Sequence, residues 1–361
     1  MNADQLPTRA PWPIRPGAWV GKLRQRMERG APAEAELPIP IGVVTDSAAA
    51  LPEAWVKDHA TYLRVVPMPV MIDAQIFSEG TDDVPTELAL GLAMGKSVRT
   101  SRPAPGQMVR AYEELAAAGC TQIISIHLSS ALSGTVDAAR LGAQQSPVPV
   151  TVIDSLTVAL AEGFSVMDVL EAATAGASIE ELTQIAERAA ENHVYFAVPS
   201  LEQLRKGGRI SAVASMLGTL LNVKPILSVC DGHIVATEKI RSHARTLARL
   251  VAIAREEAEA RGPQARLAVH YFGNESAAEE IVHELAGVSS TEVLMVPVPA
   301  VLGAHTGAGV LAVAISGGTP PPPPAPPKPV PPRREPRAKR EVSEATDPQG
   351  FKAPQTPSAN H

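Results

Sequence analysis

Apolar runs rich in valine and isoleucine alternate with helical patterns through the middle of this chain, and several of these runs end at polar residues. The run at 40–45 ends at Asp46-Ser47, and the run at 122–128 ends at a cluster of serines. Strands that alternate with helices in this way are typical of layered α/β folds. Ligands bind to such sheets beyond the carboxyl ends of their strands, so the alternation also predicts where a site lies.

The same patterns predict individual elements along the whole middle of the chain. Asp231-Gly232 predicts a tight hairpin turn, and the proline-interrupted segment 63–72 predicts an edge strand. The apolar stretch 293–316 contains prolines and glycines, so a strand, a Gly-rich turn and a buried helix explain it better than a membrane span. Helices are predicted at 85–95, 105–118, 134–144, 162–175, 178–191, 210–221, 242–261 and 275–286, and further strands at 148–153, 193–199, 223–229, 234–238, 265–271 and 292–298.

The length of the chain, 361 residues, exceeds what one hydrophobic core usually supports. Two α/β domains are therefore predicted, at 38–161 and 162–316. Residues 1–37 are rich in proline, alanine and arginine, and residues 317–361 run from a proline tract into a basic segment. Such segments bury too little apolar surface to offset the entropy of ordering, which predicts a disordered N-terminal arm and a disordered Pro-rich basic tail.

Charge is distributed unevenly between the ends and the middle. The first 40 residues carry +2 and residues 317–361 carry +3, while the whole chain carries −6, which leaves −11 in the middle. An acidic body argues against nucleic acid as the main ligand. The basic tail is compatible with transient contact with a membrane surface or an acidic partner, although short mixed tails more often serve solubility.

The cysteines indicate a reducing compartment. Cys120 and Cys230 show neither metal-ligand spacing nor a disulfide framework. The N-terminal segment is polar and interrupted by prolines, without the apolar region of a signal peptide. Together these features predict a cytoplasmic protein.

Two clusters of hydroxyl residues carry the strongest functional signal. Thr100-Ser101 forms the first, and residues 129–135, with the sequence SSALSGT, form the second, at a predicted helix start. Hydroxyls and backbone N–H groups at helix N-termini bind the oxygens of anions. Neither cluster contains an acidic or metal-ligating residue, so the pattern predicts a site for a carboxylate or phosphate and no metal. Ser133-Gly134-Thr135 would also serve as a plain helix cap.

Sequence motifs of an independent enzyme or of a cofactor site are not found. The chain has no GxSxG elbow and no GxGxxG after a strand. One alternative function is a hydrolase or transferase acting on an acyl or phosphoryl ester, with Ser133 as nucleophile and His305 as base. A regulatory protein without a ligand is a third interpretation.

An ordered set of short motifs between residues 40 and 317 resembles the DegV family. Each motif alone would be weak, but the order makes the set specific. The motifs are TDSAAALP (45–52), TSRPAPG (100–106), SIHLSSALSGT (125–135), VIDS (152–155), LEQLRKGGRIS (201–211), LLNVKPIL (220–227), DGHI (231–234), EKIRS (238–242) and AHTGAG (304–309).

The resemblance implies a lipid-binding protein without a cofactor or a catalytic residue of its own. Members of this family hold one long-chain fatty acid in a tunnel between two α/β domains. Some act as the binding subunit of bacterial fatty acid kinase and present the carboxylate to a separate kinase subunit of the dihydroxyacetone-kinase-like type, which forms the acyl phosphate.

The resemblance also implies roles for individual residues. The fatty acid carboxylate is expected at Thr100, Ser101, Ser130, Ser133 and His305. Arg209 and Arg241 match motifs associated with kinase contact or phosphotransfer. Supporting loop residues are Asp46, Ser47, Gly134 and Thr135.

Purely structural roles for some of these residues stay open. Asp46 and Ser47 could form an Asx-turn only, and Arg241 could belong to an exposed basic helix face. Ala48 and Ala104 stand where the family usually has hydroxyls, so these two positions offer no side-chain hydrogen bond.

Overall fold

The computed structural model describes residues 41–79, 82–210, 213 and 224–318. The predicted arm at 1–37, nearly all of the predicted tail at 317–361 and most of the predicted helix at 210–221 lie outside these residues. The described part is a mixed α/β structure with one parallel sheet and two further sheets, which confirms the predicted fold class. The division into domains at residue 161 stays a prediction.

Strands and helices alternate through the first half as the sequence predicts, except for three consecutive strands between residues 63 and 77. The strands are β1 Ile41–Asp46, β2 Leu63–Val66, β3 Val70–Ile72, β4 Gln75–Phe77, β5 Val98–Thr100, β6 Gln122–His127, β7 Val150–Asp154, β8 His193–Ala197, β9 Lys224–Cys230, β10 His233–Ile240, β11 Arg266–Tyr271, β12 Leu294–Pro297 and β13 Leu311–Ser316. The helices are α1 Glu53–Asp58, α2 Val84–Ala93, α3 Pro105–Ala117, α4 Thr135–Ala143, α5 Leu160–Thr174, α6 Ile179–Glu187, α7 Glu202–Lys206, α8 His243–Arg261, α9 Glu275–Leu285 and α10 Ala300–Thr306, with 3₁₀ turns at Ser47–Ala49 and Arg188–Glu191.

A four-stranded parallel sheet with the strand order β2-β1-β6-β7 forms the first half. All six residues of β1 are buried, as expected for a parallel strand covered on both faces. Tyr112 and Leu115 of α3 pack on one face, and Val166 of α5 and Leu182 of α6 pack on the other. The carboxyl ends of β1 and β6 therefore emerge together at one edge of the sheet.

A six-stranded sheet with the order β10-β9-β8-β13-β11-β12 forms the second half. Its strands are antiparallel except for the β11–β12 pair. Asp231 (φ 48°) and Gly232 (φ 79°) make the two-residue turn between β9 and β10, which confirms the predicted hairpin. Helices α8 and α9 cover one face of this sheet.

A small antiparallel sheet with the order β4-β3-β5 lies beside the two larger ones. The single strand predicted over 63–72 is wrong, because the segment divides between two sheets. Pro67 and Pro69 lie at the break and have no N–H to donate to a ladder. The edge position is correct for β2, which ends the parallel sheet. Gly91 of α2 packs against Ile72 of β3.

Candidate functional site

A cavity with an empty volume of about 820 Å³, part of it open to solvent, lies against the face of the six-stranded sheet that α8 and α9 leave uncovered. Five of the six strands contribute to its floor, through Phe196, Val229, Ile234, His270 and Ala312. Other walls come from the loop after β7 and from helix α10. Most lining residues are aliphatic, and the polar ones are Thr100, Ser133, Arg209, His270, His305 and Thr306.

Thr100 and His305 meet in the cavity wall although 205 residues separate them. The Thr100 Oγ1 and His305 Nε2 atoms share a hydrogen bond of 2.8 Å. Side chains alternate along β5, so exposed Arg99 faces outward while Thr100 faces inward. The small sheet thereby brings one predicted hydroxyl to the predicted histidine.

The His305 ring packs tightly against the backbone of Gly207. A Cβ atom at residue 207 would lie 2.1 Å from Nδ1 of His305, so any residue larger than glycine would force the ring to move. In the part of the chain that the structure describes, this Nδ1 atom is buried and has no hydrogen-bond partner. Burial, reinforced by the nearby Arg209 charge, lowers the pKa of His305 to about 4, so the imidazole is neutral near pH 7.

Arg209 connects the two loops that flank this end of the cavity. Its Nε atom donates to the Leu132 carbonyl oxygen at 3.1 Å, and its Nη1 atom donates to the Gly207 carbonyl oxygen. Among the described lining residues, Arg209 carries the only fixed formal charge. Its guanidinium group therefore links the two loops and gives this end of the cavity a positive charge.

The loop after β6 is held from several sides. Ser129 donates from Oγ to the Gly232 carbonyl oxygen at 2.9 Å, and its N–H donates to the Thr157 carbonyl oxygen at 2.9 Å. Ser133, further along the loop, lines the cavity and shares a 2.8 Å hydrogen bond with the Thr135 hydroxyl. Gly134 is the N-cap of α4, so this loop also delivers a helix N-terminus.

Three predicted residues do not line the cavity. Ser101 is exposed and donates from Oγ to the Arg102 carbonyl oxygen at 3.1 Å. Ser130 is exposed, and its N–H donates to Asp154 Oδ1 at 3.1 Å. Arg241 is exposed just after β10. Their roles in ligand or partner binding stay predictions from the sequence.

The supporting loop residues hold backbone rather than line the cavity. Oδ1 of buried Asp46 accepts from the Ala48 N–H at 3.0 Å, and Oδ2 accepts from the Leu128 N–H at 3.2 Å. Oδ2 also accepts from Nδ1 of His127 at 2.9 Å. The Ser47 hydroxyl accepts from the Met68 N–H at 3.1 Å. These bonds fix the edge of the parallel sheet to which the cavity is attached.

Besides Thr306, the sequence interpretation missed one polar lining residue, His270. It lies in the middle of β11 and is fully buried. A histidine inside a predicted buried strand is a signal, because such a ring must find partners for both nitrogens. The pattern within 265–271 does not show that this residue faces a cavity.

Other kinds of site receive no support from the described residues. Within 41–79, 82–210, 213 and 224–318, no group of three or more His, Cys, Asp or Glu residues could hold a metal ion. Searching the same residues reveals no helix with the length and apolarity to cross a membrane. Ser133 and His305 bond Thr135 and Thr100, respectively, and not each other as a nucleophile and its base would.

Comparison with known proteins gives consistent matches over most of the chain. A family model described as an uncharacterised protein of the DegV family matches residues 40–317. A DegV domain-containing protein of Streptomyces coelicolor is 38% identical over 281 residues, which cover 76% of this chain and 98% of that protein.

Solved structures agree with this match. One described as fatty acid binding of a DegV family protein from Thermus thermophilus has a TM-score of 0.71 at 33% identity and covers 77% of this chain and 99% of its own. DegV from Bacillus subtilis, described as a fatty acid binding protein, has a TM-score of 0.68 at 30% identity, with the same shares of 77% and 99%.

Proposed function

The chain belongs to the DegV family, and on that premise we propose that it binds one long-chain fatty acid in the cavity. The carboxyl group lies at the end formed by Thr100, Ser133 and His305, and the acyl chain lies along the six-stranded sheet. One observation carries the proposal: the Thr100–His305 hydrogen bond and the bond from Arg209 to the carbonyl oxygen beside Ser133 bring polar groups from four distant segments together in a mostly aliphatic cavity. Related proteins described as fatty acid binding support the class of ligand.

The aliphatic walls supply the driving force for binding the acyl chain. Burial of a chain of about 15 methylenes gains on the order of 10 kcal/mol, at ~0.8 kcal/mol for each CH₂. Association and ordering of the chain offset a large part of that gain. The remainder is favourable without any strong bond to the carboxylate.

Hydroxyls and Arg209 hold the carboxylate in a position open to reaction. Thr100 and Ser133 each offer a hydroxyl, and the neutral ring of His305 fixes the orientation of Thr100. Hydrogen bonds to a charged group contribute roughly 1.5–3 kcal/mol each. A carboxylate held in this way keeps a lone pair for attack on phosphorus.

We further propose that the bound carboxylate is presented to a separate cytoplasmic kinase subunit of the dihydroxyacetone-kinase-like type. One carboxylate oxygen attacks the γ-phosphorus of ATP, the bond to the β-γ bridging oxygen breaks, and acyl phosphate and ADP result. Arg209 and Arg241 stabilise the charge of the transferring group or contact the partner. The chain itself supplies no nucleophile from a side chain.

Native mass spectrometry of the full chain purified from a bacterial host, followed by denaturing extraction, tests the binding step. We expect one intact fatty acid per chain. The double variant Thr100→Val with Ser133→Ala should lose at least tenfold in affinity, because two bonds to a charged group are removed. Ser290→Ala is the control, since Ser290 is exposed and lies outside the cavity.

Three results would contradict the proposal. A ligand-free wild-type chain that also binds no added fatty acid excludes the carrier function. Equal losses of fatty acid affinity in the control and in the double variant would exclude the assignment of the carboxylate to Thr100 and Ser133. Stoichiometric labelling of Ser133 by a fluorophosphonate would favour the hydrolase alternative.

The variant Arg241→Ala tests the kinase step. It should retain fatty acid binding and lose ATP-dependent acyl phosphate formation, measured as the hydroxamate. Unchanged turnover would exclude a role for Arg241 in that step.

A further inference from the structure

His270 connects two parts of the cavity wall through its ring nitrogens. Nε2 accepts from the Leu160 N–H at 3.2 Å, and Nδ1 donates to the Val296 carbonyl oxygen at 3.1 Å. A backbone N–H can only donate and a carbonyl oxygen can only accept, so these partners require the tautomer with the proton on Nδ1. Both ring nitrogens of His270 are hydrogen-bonded to backbone groups, so neither is free to bond a ligand in the cavity.

The Leu160 N–H belongs to the first residue of α5, where a helix leaves backbone donors without partners. The preceding residue, Ala159, has no side-chain oxygen with which to cap the helix. The cap comes instead from His270, a residue of another sheet and 110 positions away. The bond therefore fixes the start of α5 to the floor of the cavity.

Ala159 has a backbone conformation that is rare for any residue except glycine. Its φ is 57° and its ψ is −154°, a region in which a residue with a Cβ atom is strained. Such a conformation persists only when the surroundings enforce it. On one side the Ala159 N–H donates to the Ala48 carbonyl oxygen at 3.0 Å, and on the other side His270 holds Leu160.

Val158 and Ala159 form part of the cavity wall. We propose that His270 is a positioning residue that holds this wall segment at a fixed distance from the sheet and so sets which acyl chains the cavity accepts. This inference rests on the proposed function, since it concerns the selectivity of the same cavity. It does not involve the carboxylate end, where Thr100, Ser133 and His305 act.

A rigid wall discriminates between chains, and a loose wall does not. One methylene in a rigid apolar site changes binding by roughly tenfold or more. When the acceptor on His270 is removed, the Leu160 N–H loses its partner and Ala159 can relax toward an ordinary conformation. The wall then adapts to chains of different length, and the differences in affinity among them shrink.

The test is a set of affinities of the full chain for saturated fatty acids of roughly 12 to 20 carbons, whose neighbours differ by methylenes. Displacement of one fluorescent fatty acid gives all affinities on one scale. The variants are His270→Leu, which cannot bond either backbone group, and His270→Gln, whose amide can accept from Leu160 and donate to Val296. Val269→Ala is the control, because Val269 lies on the same strand and packs on the opposite face of the sheet.

We expect wild type, His270→Gln and Val269→Ala to rank the series alike. In His270→Leu the ratio between the preferred chain and one two carbons longer should fall by about tenfold or more. An unchanged ratio in His270→Leu, or equal loss in His270→Gln or Val269→Ala, overturns the inference while leaving the proposed function intact. A wild-type chain that binds none of the series overturns both.

A measurement on the wild-type chain covers the case in which His270→Leu does not fold. The chain has nine histidines, and loss of one signal in His270→Gln assigns the His270 ring by ¹⁵N NMR. We expect a protonated Nδ1 and an accepting Nε2 that do not titrate between pH 5 and 8, because burial lowers the pKa of His270 to about 4. A protonated Nε2 would overturn the inference, since that atom could not accept from Leu160.

Discussion

The polar cluster around His127 and the polar end of the cavity around His305 are each built on one imidazole ring, but they use it differently. His127 is fully buried and bonds through both nitrogens, Nδ1 to Asp46 and Nε2 to the Ser125 hydroxyl at 2.7 Å. His305 bonds Thr100 through Nε2, while Nδ1 lies against Gly207 without a partner among the described residues. The first cluster is complete within the fold, and the second is not.

The complete cluster extends further into the core. The Ser125 hydroxyl shares a 2.9 Å hydrogen bond with the hydroxyl of Tyr112, and burial raises the pKa of Tyr112 to about 12. The hydroxyls of Tyr112 and Ser125 and both ring nitrogens of His127 are all hydrogen-bonded to other protein groups. Such a network stabilises a unique arrangement but has nothing left for a ligand.

The largest expected effect comes from breaking the complete cluster. Asp46→Ala removes the acceptor of three buried donors: His127 Nδ1 and the N–H groups of Ala48 and Leu128. Buried donors without partners cost about 1–3 kcal/mol each, so the free energy of unfolding should fall by roughly 3–5 kcal/mol. Urea unfolding of the ligand-free chain measures the change.

Asp137→Ala is the control for that experiment. Asp137 is exposed, and its one ion pair within the described part of the chain is with Arg140, at 3.4 Å, so its loss should change the free energy of unfolding by less than about 0.5 kcal/mol. Equal changes in the two variants would show that the Asp46 network does not stabilise the fold.

The next effect concerns the incomplete cluster. Gly207→Ala places a methyl group 2.1 Å from Nδ1 of His305, so the ring must move and the Thr100 bond must break or lengthen. We expect a loss of about 1–3 kcal/mol in stability and a loss of at least tenfold in fatty acid affinity, measured by displacement of a fluorescent fatty acid.

Gly106→Ala provides the comparison, because a Cβ atom at residue 106 meets nothing within 4 Å. It should leave the affinity unchanged. If Gly207→Ala also leaves the affinity unchanged, the position of the His305 ring does not matter for the ligand.

The smallest effect is a difference in pH dependence. The folded-state pKa of His305, about 4, lies below its ordinary value of 6.5, so the unfolded chain binds more protons between these pH values. Stability from this group is present above pH 6.5 and is lost as the pH falls toward 4. By pH 5 the loss should be about 1–2 kcal/mol.

His305→Gln should remove that part of the acid-induced loss, and the difference between the two unfolding curves isolates it from the carboxylates. His270 retains its own contribution in both proteins, since burial also lowers its pKa to about 4. Parallel curves for wild type and His305→Gln from pH 7 to 5 would contradict a neutral, desolvated His305.

The sequence predicts what depends on local chemistry. Asp231-Gly232 supplies the two residues that a tight hairpin needs, and the turn forms there. The strand predicted at 292–298 and a buried helix within 293–316 also form, as β12 and α10, but the strand β13 at Leu311–Ser316 was not predicted. Periodicity and turn residues decide these elements before any distant contact forms.

Sheet membership and the site depend on distant contacts that local patterns do not contain. Val66 and Val70 are four positions apart but enter different sheets. The Gly-Gly pair before Arg209 is visible in the sequence as a flexible loop, but the contact of Gly207 with His305 is not. The hydroxyl motifs predict Ser101 and Ser130 as well as Thr100 and Ser133, and the structure brings only the latter two to the cavity.

The central position of β13 in its sheet has a consequence for synthesis on the ribosome. Leu311–Ser316 is the last described strand, and it pairs with β8 on one side and β11 on the other. Until these residues emerge, the sheet is two separate pieces and the cavity has no continuous floor. His305 is added to the chain 205 positions after Thr100, which takes about 10–40 s at bacterial elongation rates of ~5–20 residues per second. A nascent chain therefore exposes the apolar face of the strands already made until β13 emerges, and the cavity is complete only after residues 311–316 have been added.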